Sequence, residues 1–189
     1  KVLTENGVNI VFSAGNAGSG NGTLNPYAKA PWVVSVGASD KDGRLADFSS
    51  RGAFGASGPT LVAPGVDVVS LRATATQTSV FGVVSGDAQR LTPTELPFYT
   101  IASGTSFSAP QVAGAIALML DANPNLTPPQ IKDILSRTAT PITNNFKHEV
   151  GAGMLNTYAA VLESAFPDRK MGYFRSVLDR NAVQYTTEI

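Results

Sequence analysis

Cysteine is absent from the 189 residues, so the chain has neither a disulfide framework nor a thiolate nucleophile. Histidine occurs once, at His148, which leaves any imidazole chemistry to one candidate. Charge is scarce and balanced, with 14 Lys and Arg against 14 Asp and Glu. A neutral chain lacks the basic footprint that nucleic acid demands, and nucleic acid is not an expected partner. No apolar run approaches the roughly 18 residues of a membrane-spanning helix, and Val112–Leu120 falls far short, so a membrane is not expected either. No initiator Met precedes "KVLTENGVNIVFSAGN", which opens as if in mid-element and reads as a processed chain or a piece of a longer one. What the chain does have is 43% hydrophobic residues with 18 Gly and 12 Pro, the makings of a sizeable core joined by many turns.

"KVLTENG" reads as a helix end closed by Gly7 at its C′ position, and "VNIVFSA" as a short buried strand. A helix, a Gly stop and a buried strand make the rhythm of a parallel α/β sheet. "GNAGSGNGTLNP", 15–26, is loop, "WVVSVGA", 32–38, a second buried strand, and "TLVAPGVDVVSL", 60–71, a strand, a Pro-Gly turn and a strand. "SDKDGRLADFSS" holds an Asp-Gly turn and a short strand; its Asp40 and Asp42 lack the further ligands of a calcium loop, so a solvated turn is expected. Residues 72–97 read as a surface excursion with one hairpin, and "FYTIAS" as a strand. Three helical patterns follow. The pattern at 105–121 is small and apolar on nearly every side, which predicts a central, buried helix with Pro110 in its first turn. The one at 128–138 starts with Thr127 as N-cap and Pro128 at N1, and buries Ile131, Ile134 and Leu135. The third spans 155–165, and a charged C-terminal extension, 167–189, carries a short helix near 172–180.

The chemistry concentrates in "IASGTSFSAPQVAG". A serine hydroxyl attacks a carbonyl only when a base takes its proton and donors hold the oxyanion that forms. Ser106 stands at the first turn of the apolar helix, where unpaired N–H groups and the positive end of the dipole gather. Gly104 lets a substrate backbone approach closely. The plainer account is that Thr105 or Ser106 simply caps the helix.

The whole string "SGTSFSAPQVAG" resembles the nucleophile motif of the subtilisin-like serine peptidases, and "VNIVFSAGNAGSG" resembles that family's oxyanion segment. The related sedolisins share Ser-Gly-Thr-Ser but carry Asp where this chain has Asn16. The resemblance runs from about residue 1 to about 162. It implies a three-layer α/β fold with a mostly parallel sheet and helices on both faces, of which residues 1–166 form the C-terminal part. It implies Ser106 as nucleophile and Asn16 as a side-chain oxyanion donor. It makes Ser13, Ala14 and Gly15 a wall of the pocket for the residue before the cut bond, with Asn25 near a neutral floor. A weak cation site is also implied at the carbonyls of Ala28, Ala30 and Val33, so structural calcium is an option although no cofactor is required. In chain order the family's triad runs Asp, His, Ser, with both partners upstream of the oxyanion Asn. His148 follows Ser106 and is expected to be a surface residue. The chain is thus expected to be inactive alone, its partners being a polypeptide substrate and the upstream half of the same domain, and the parent protein to be secreted. The alternatives are a non-catalytic relative kept for binding, and a processed subunit completed by a second chain.

Overall fold

The computed structural model describes residues 1–56, 58–72, 85–167, 178–179 and 182–183. Its centre is a parallel sheet of β1 (Val11–Ser13), β2 (Val34–Ser39) and β3 (Leu61–Pro64), in that spatial order. β2 is buried along its whole length, which is why its sequence reads as a near-continuous apolar run. Val34 and Val36 face one side, where they join Leu61, Ala63, Val112, Ile116 and Met119 in the main core. On the other side a Cβ on Gly37 would lie 2.9 Å from Val62 Cγ1 and 3.1 Å from Ser49 Oγ, so only glycine lets these strands and the loop after β2 close together.

The helix after the Gly-Thr-Ser stretch, α3 (Thr105–Ala122), packs across β1, β2 and β3. Two expectations fail here. Pro110 is the sixth helical residue and not in the first turn, so the Ser106 carbonyl four residues back lacks its helical N–H partner. The helix is also buried on one face only: Val112, Ala115, Ile116 and Met119 are covered, whereas Ala113, Gly114 and Ala117 are exposed and Leu118 is 54% exposed. Small apolar residues all round gave the pattern no polar side, yet in this chain only the sheet and the next helices cover it.

α4 (Pro128–Thr138) begins as expected, and the Gln130 side chain accepts the Thr127 N–H at 2.8 Å. Ile131, Ile134 and Leu135 are buried. α6 (Thr157–Ala165) starts two residues later than its periodicity suggests, because Asn156 caps it by accepting the Ala159 N–H at 3.0 Å. At the N-terminus α1 (Val2–Glu5) ends before Gly7, whose φ of +84° is the left-handed C′ conformation anticipated there.

After β3, β4 (Val68–Leu71) pairs antiparallel with β5 (Tyr99–Ala102). The hairpin expected within 72–97 is not seen at 85–90, where the chain forms helix α2 (Ser85–Arg90); residues 73–84 lie outside the described residues. The strand expected around Leu45 reduces to one bridge with Ser39. A single-turn helix, α5 (Lys147–Val150), was not legible; Glu149 holds its start by accepting the Phe146 N–H at 2.9 Å. The helix expected near 172–180 falls mostly outside the described residues, and Leu178–Asp179 is instead strand β6, paired with β7 (Ala182–Val183).

Candidate active site

β1 ends at Ser13, and the chain turns sharply through Ala14 and Gly15 to present Asn16. Gly15 has φ +108°, and a Cβ there would sit 2.9 Å from Ser50 Oγ, so both conformation and space demand glycine. Ser50 Oγ in turn accepts the Ala17 N–H at 2.9 Å, fixing the far side of the turn.

α3 meets this turn with its N-terminus. The Thr105 N–H and hydroxyl both donate to Asn16 Oδ1, each at 2.9 Å. A backbone N–H can only donate, so the atom it meets must be the amide oxygen, and Nδ2 of Asn16 faces the other way. The Thr105 hydroxyl also accepts the Gly15 N–H at 3.2 Å, and Thr105 is itself buried. Neither Thr105 nor Ser106 is the N-cap: that position is Gly104, which has no side chain to offer, and Asn16 Oδ1 takes the first helical N–H instead. A Cβ on Gly104 would approach Asn16 Nδ2 to 3.3 Å, so the glycine leaves the amide free. Gly104 is placed by its own N–H, which donates to the Gly65 carbonyl at 2.7 Å. A Cβ on Gly65 would lie 2.1 Å from Ser108 Oγ, so that glycine is required for the backbone approach.

The structure thus brings Asn16, Gly104 and Ser106 together at one helix start. Ser106 and Asn16 are both exposed, while Ala14 and Gly104 are buried. Ser106 opens onto a cavity of about 410 Å³, which Phe12, Ser13, Ala109, Pro110 and Ala113 also line, with no ionisable side chain among the described residues that line it. Asn25 lies beside Gly15, its Cβ 3.6 Å from where a Gly15 Cβ would stand. Its N–H donates to the Ala14 carbonyl at 2.7 Å, and its side chain accepts the Tyr27 N–H at 3.1 Å to cap a 3-10 turn over Pro26–Lys29. His148 belongs elsewhere: it stacks on Phe146 with centroids 5.6 Å apart and meets Phe54 edge-on at 5.4 Å.

Two of the three carbonyls suggested for a cation, those of Ala30 and Val33, have other partners. Val33 O accepts the ammonium of Lys132 at 2.7 Å, as does Pro31 O, and Ala30 O accepts the Val33 N–H. A calcium ion at Val33 would meet that ammonium, so the residues present do not fit the metal. Burial lowers the Lys132 pKa from its ordinary value. The turn at Asp40 is the solvated one expected, Oδ1 accepting the N–H groups of Asp42 and Arg44 at 2.9 Å. The sequence did not reveal the part played by Thr105: the hydroxyl beside Ser106 suggested a cap, and its true partner lies 89 residues away.

A parallel sheet whose first strand leads through a tight turn to Asn16, set against the start of a central helix that carries Ser106, places the chain in the α/β class of folds. The chain belongs to the subtilase family, whose model matches residues 2–153. It is 31% identical over 164 residues to the serine protease AprX of Bacillus subtilis, covering 82% of this chain and 35% of that protein. With subtilisin DY of Bacillus licheniformis it shares 35% over 156 residues, covering 82% and 47% respectively. The crystal structure of fervidolysin from Fervidobacterium pennivorans, described as a keratinolytic enzyme related to subtilisin, superposes with a TM-score of 0.67 at 32% identity, over 84% of this chain and 23% of that one. The chain therefore spans about a third to a half of the length of these curated relatives. Among the described residues no helix is long and apolar enough to cross a membrane.

Proposed function

We propose that this chain is the C-terminal part, residues 1–166, of a subtilase endopeptidase domain, and that it supplies the nucleophile and one oxyanion donor for peptide-bond hydrolysis. The observation that carries the reading is the pair of hydrogen bonds that Thr105 donates to Asn16 Oδ1, which leaves Asn16 Nδ2 as the amide donor on the Gly104 side of the helix start. Ser106 Oγ attacks the scissile carbonyl carbon and gives its proton to a base. The carbonyl oxygen becomes an oxyanion, met by Asn16 Nδ2 and the Ser106 N–H. Collapse expels the amine, which takes the proton from the base, and leaves an acyl-enzyme on Ser106; water then releases the acid by the same path in reverse. Ser13, Ala14, Gly15 and Asn25 form one wall and the floor of the pocket for the residue before the cut bond. The base is a histidine, oriented by an aspartate, and both come from sequence upstream of this chain. The exposed side of α3 and the cavity beside Ser106 are where that sequence packs. The substrate is a polypeptide, and the parent protein is secreted.

A fluorophosphonate probe, read by intact mass and peptide mapping, tests this. The chain alone is expected to give no adduct, and the full-length protein to give one adduct on Ser106 that Ser106→Ala abolishes. A stoichiometric adduct on the isolated chain would mean that it already holds a base. Labelling of the full-length protein that survives Ser106→Ala would remove the nucleophile assignment.

A further inference from the structure

Asp87 is a carboxylate with no solvent exposure and no part in the chemistry above. It sits on α2, in the long connection between β4 and β5, and three donors converge on it. Oδ1 accepts the Ile101 N–H at 2.8 Å, while Oδ2 accepts Arg72 at 2.5 Å and the Thr100 hydroxyl at 3.1 Å. Arg72, just past β4, also donates from Nε to the Tyr99 carbonyl at 3.0 Å. In the β4–β5 ladder Arg72 N–H bonds Phe98 O at 2.6 Å and Val69 stands opposite Ile101. Antiparallel pairs alternate, so the backbone groups of Tyr99 and Ile101 point away from β4. On this outer edge of β5 Asp87 takes the Ile101 N–H and Arg72 the Tyr99 carbonyl, while the Tyr99 N–H donates to the Glu95 carbonyl at 2.9 Å.

Five residues after Ile101 comes Ser106. Between them the Ser103 hydroxyl accepts the Asp67 N–H at 2.9 Å, and Gly104 bonds Gly65. Asp67, with φ +55°, is also ion-paired to Arg90 of α2 at 2.6 Å. α2 therefore grips both the strand that leads into the nucleophile loop and the turn that loop leans on.

We infer that the Asp87–Arg72 pair positions the nucleophile: by closing the outer edge of β5 it sets where Ser103–Ser106 leave the strand, and hence where Ser106 stands against Asn16. This rests on reading Ser106 as the nucleophile. Neither residue touches reacting atoms, so both are positioning residues. The charged group that faces Asp87 is Arg72; Arg90 on the same helix turns to Asp67, and Glu95 is engaged by the N–H and hydroxyl of Thr92.

The test uses the full-length protein with Asp87→Asn, Arg72→Lys and Ser106→Ala. The readouts are fluorophosphonate labelling, kcat and KM on a chromogenic peptide anilide, melting temperature, and hydrogen exchange over residues 101–107. At a temperature where every variant is folded, Asp87→Asn is expected to lower labelling rate and kcat about 10–100-fold with KM little changed, the scale of loss when a reacting group is displaced by about 1 Å. Exchange at Ile101–Phe107 should rise. Arg72→Lys keeps the charge but loses the two-point grip, and should fall between Asp87→Asn and the parent. A lower melting temperature with kcat, labelling and exchange at 101–107 unchanged would overturn the proposal and leave a merely structural ion pair. Should Asp87→Asn fail to fold, Arg72→Lys decides by the same readouts. Labelling that persists in Ser106→Ala would strike the nucleophile assignment instead, and exchange at 101–107 would still judge the clasp.

Discussion

β1 and β5 are both edge strands among the described residues, and the two edges are finished in different ways. β5 is held from within the chain: Asp87 takes the Ile101 N–H and Arg72 the Tyr99 carbonyl, and a carboxylate is buried in doing so. β1 has β2 on one side, while its three residues are only half-buried and the cavity beside Ser106 opens against it. The neighbouring face of α3 is equally uncovered at Ala113, Ala117 and Leu118. One edge carries its own polar closure; the other opens beside mostly apolar side chains, suited to further strands and helices. Ser106 stands between them, held from the β5 side and open on the β1 side.

The sharpest way to break this comparison is chemical. In the full-length protein Ser106→Ala should remove about 10⁶-fold in kcat, a figure that belongs to subtilisin itself. If Ser106 is the reacting group, the open side of the site must then be where its base arrives. Asn16→Ala should cost about 10²–10³-fold in kcat with KM little changed, again subtilisin's own value. Thermal melting and circular dichroism should show Asn16→Ala to be folded.

Folding measurements probe the two edges themselves. Ile131→Ala, in the closed core, should lose about 2–5 kcal/mol by urea unfolding in any context. Leu118→Asp should change this chain by less than about 0.5 kcal/mol. In the full-length protein it should be strongly destabilising, because a charge would then be buried without a partner. Equal effects in both contexts would mean that the α3 face stays open.

The smallest effect is the pH response of the closed edge. The Ile101 N–H holds the Asp87 carboxyl below the usual carboxylate range; burial opposes this, and Arg72 and Thr100 reinforce it. Burial pushes Glu149 up, but the Phe146 N–H, Asn145 and Arg51 outweigh it and bring it below its ordinary value. A depressed folded pKa means that the stabilisation is present above the unfolded pKa and lost as pH falls through the folded one. Acid melting curves should therefore decline below the ordinary carboxylate range, and Asp87→Asn should flatten part of that decline. Chelation with EDTA should leave the melting of this chain unchanged, since Lys132 bonds the Val33 carbonyl.

Much of this was legible along the chain. The Thr127–Pro128 start of α4, the Gly7 stop and the buried run of β2 follow from capping, positive φ and burial on both faces, all local effects within a few residues. "AGN" after a strand and "SGTS" before a helix placed Asn16 and Ser106 without coordinates. α2 and α5 escaped because single-turn or near-single-turn helices bear no period; Arg72 ties α2 through Asp87, and α5 is started by its own Glu149.

Composition excluded thiol chemistry, periodicity pointed to a parallel α/β sheet, and the resemblance of two motifs to the subtilases pointed to the segments around Asn16 and Ser106. Tertiary structure alone decided which way the Asn16 amide points, that Thr105 is a strut and not a cap, that His148 lies among phenylalanines, and that Asp87 closes β5. The reason is range: caps and turns are written into neighbouring residues, whereas the bond from Thr105 to Asn16 joins positions 89 apart and leaves no local trace in either segment.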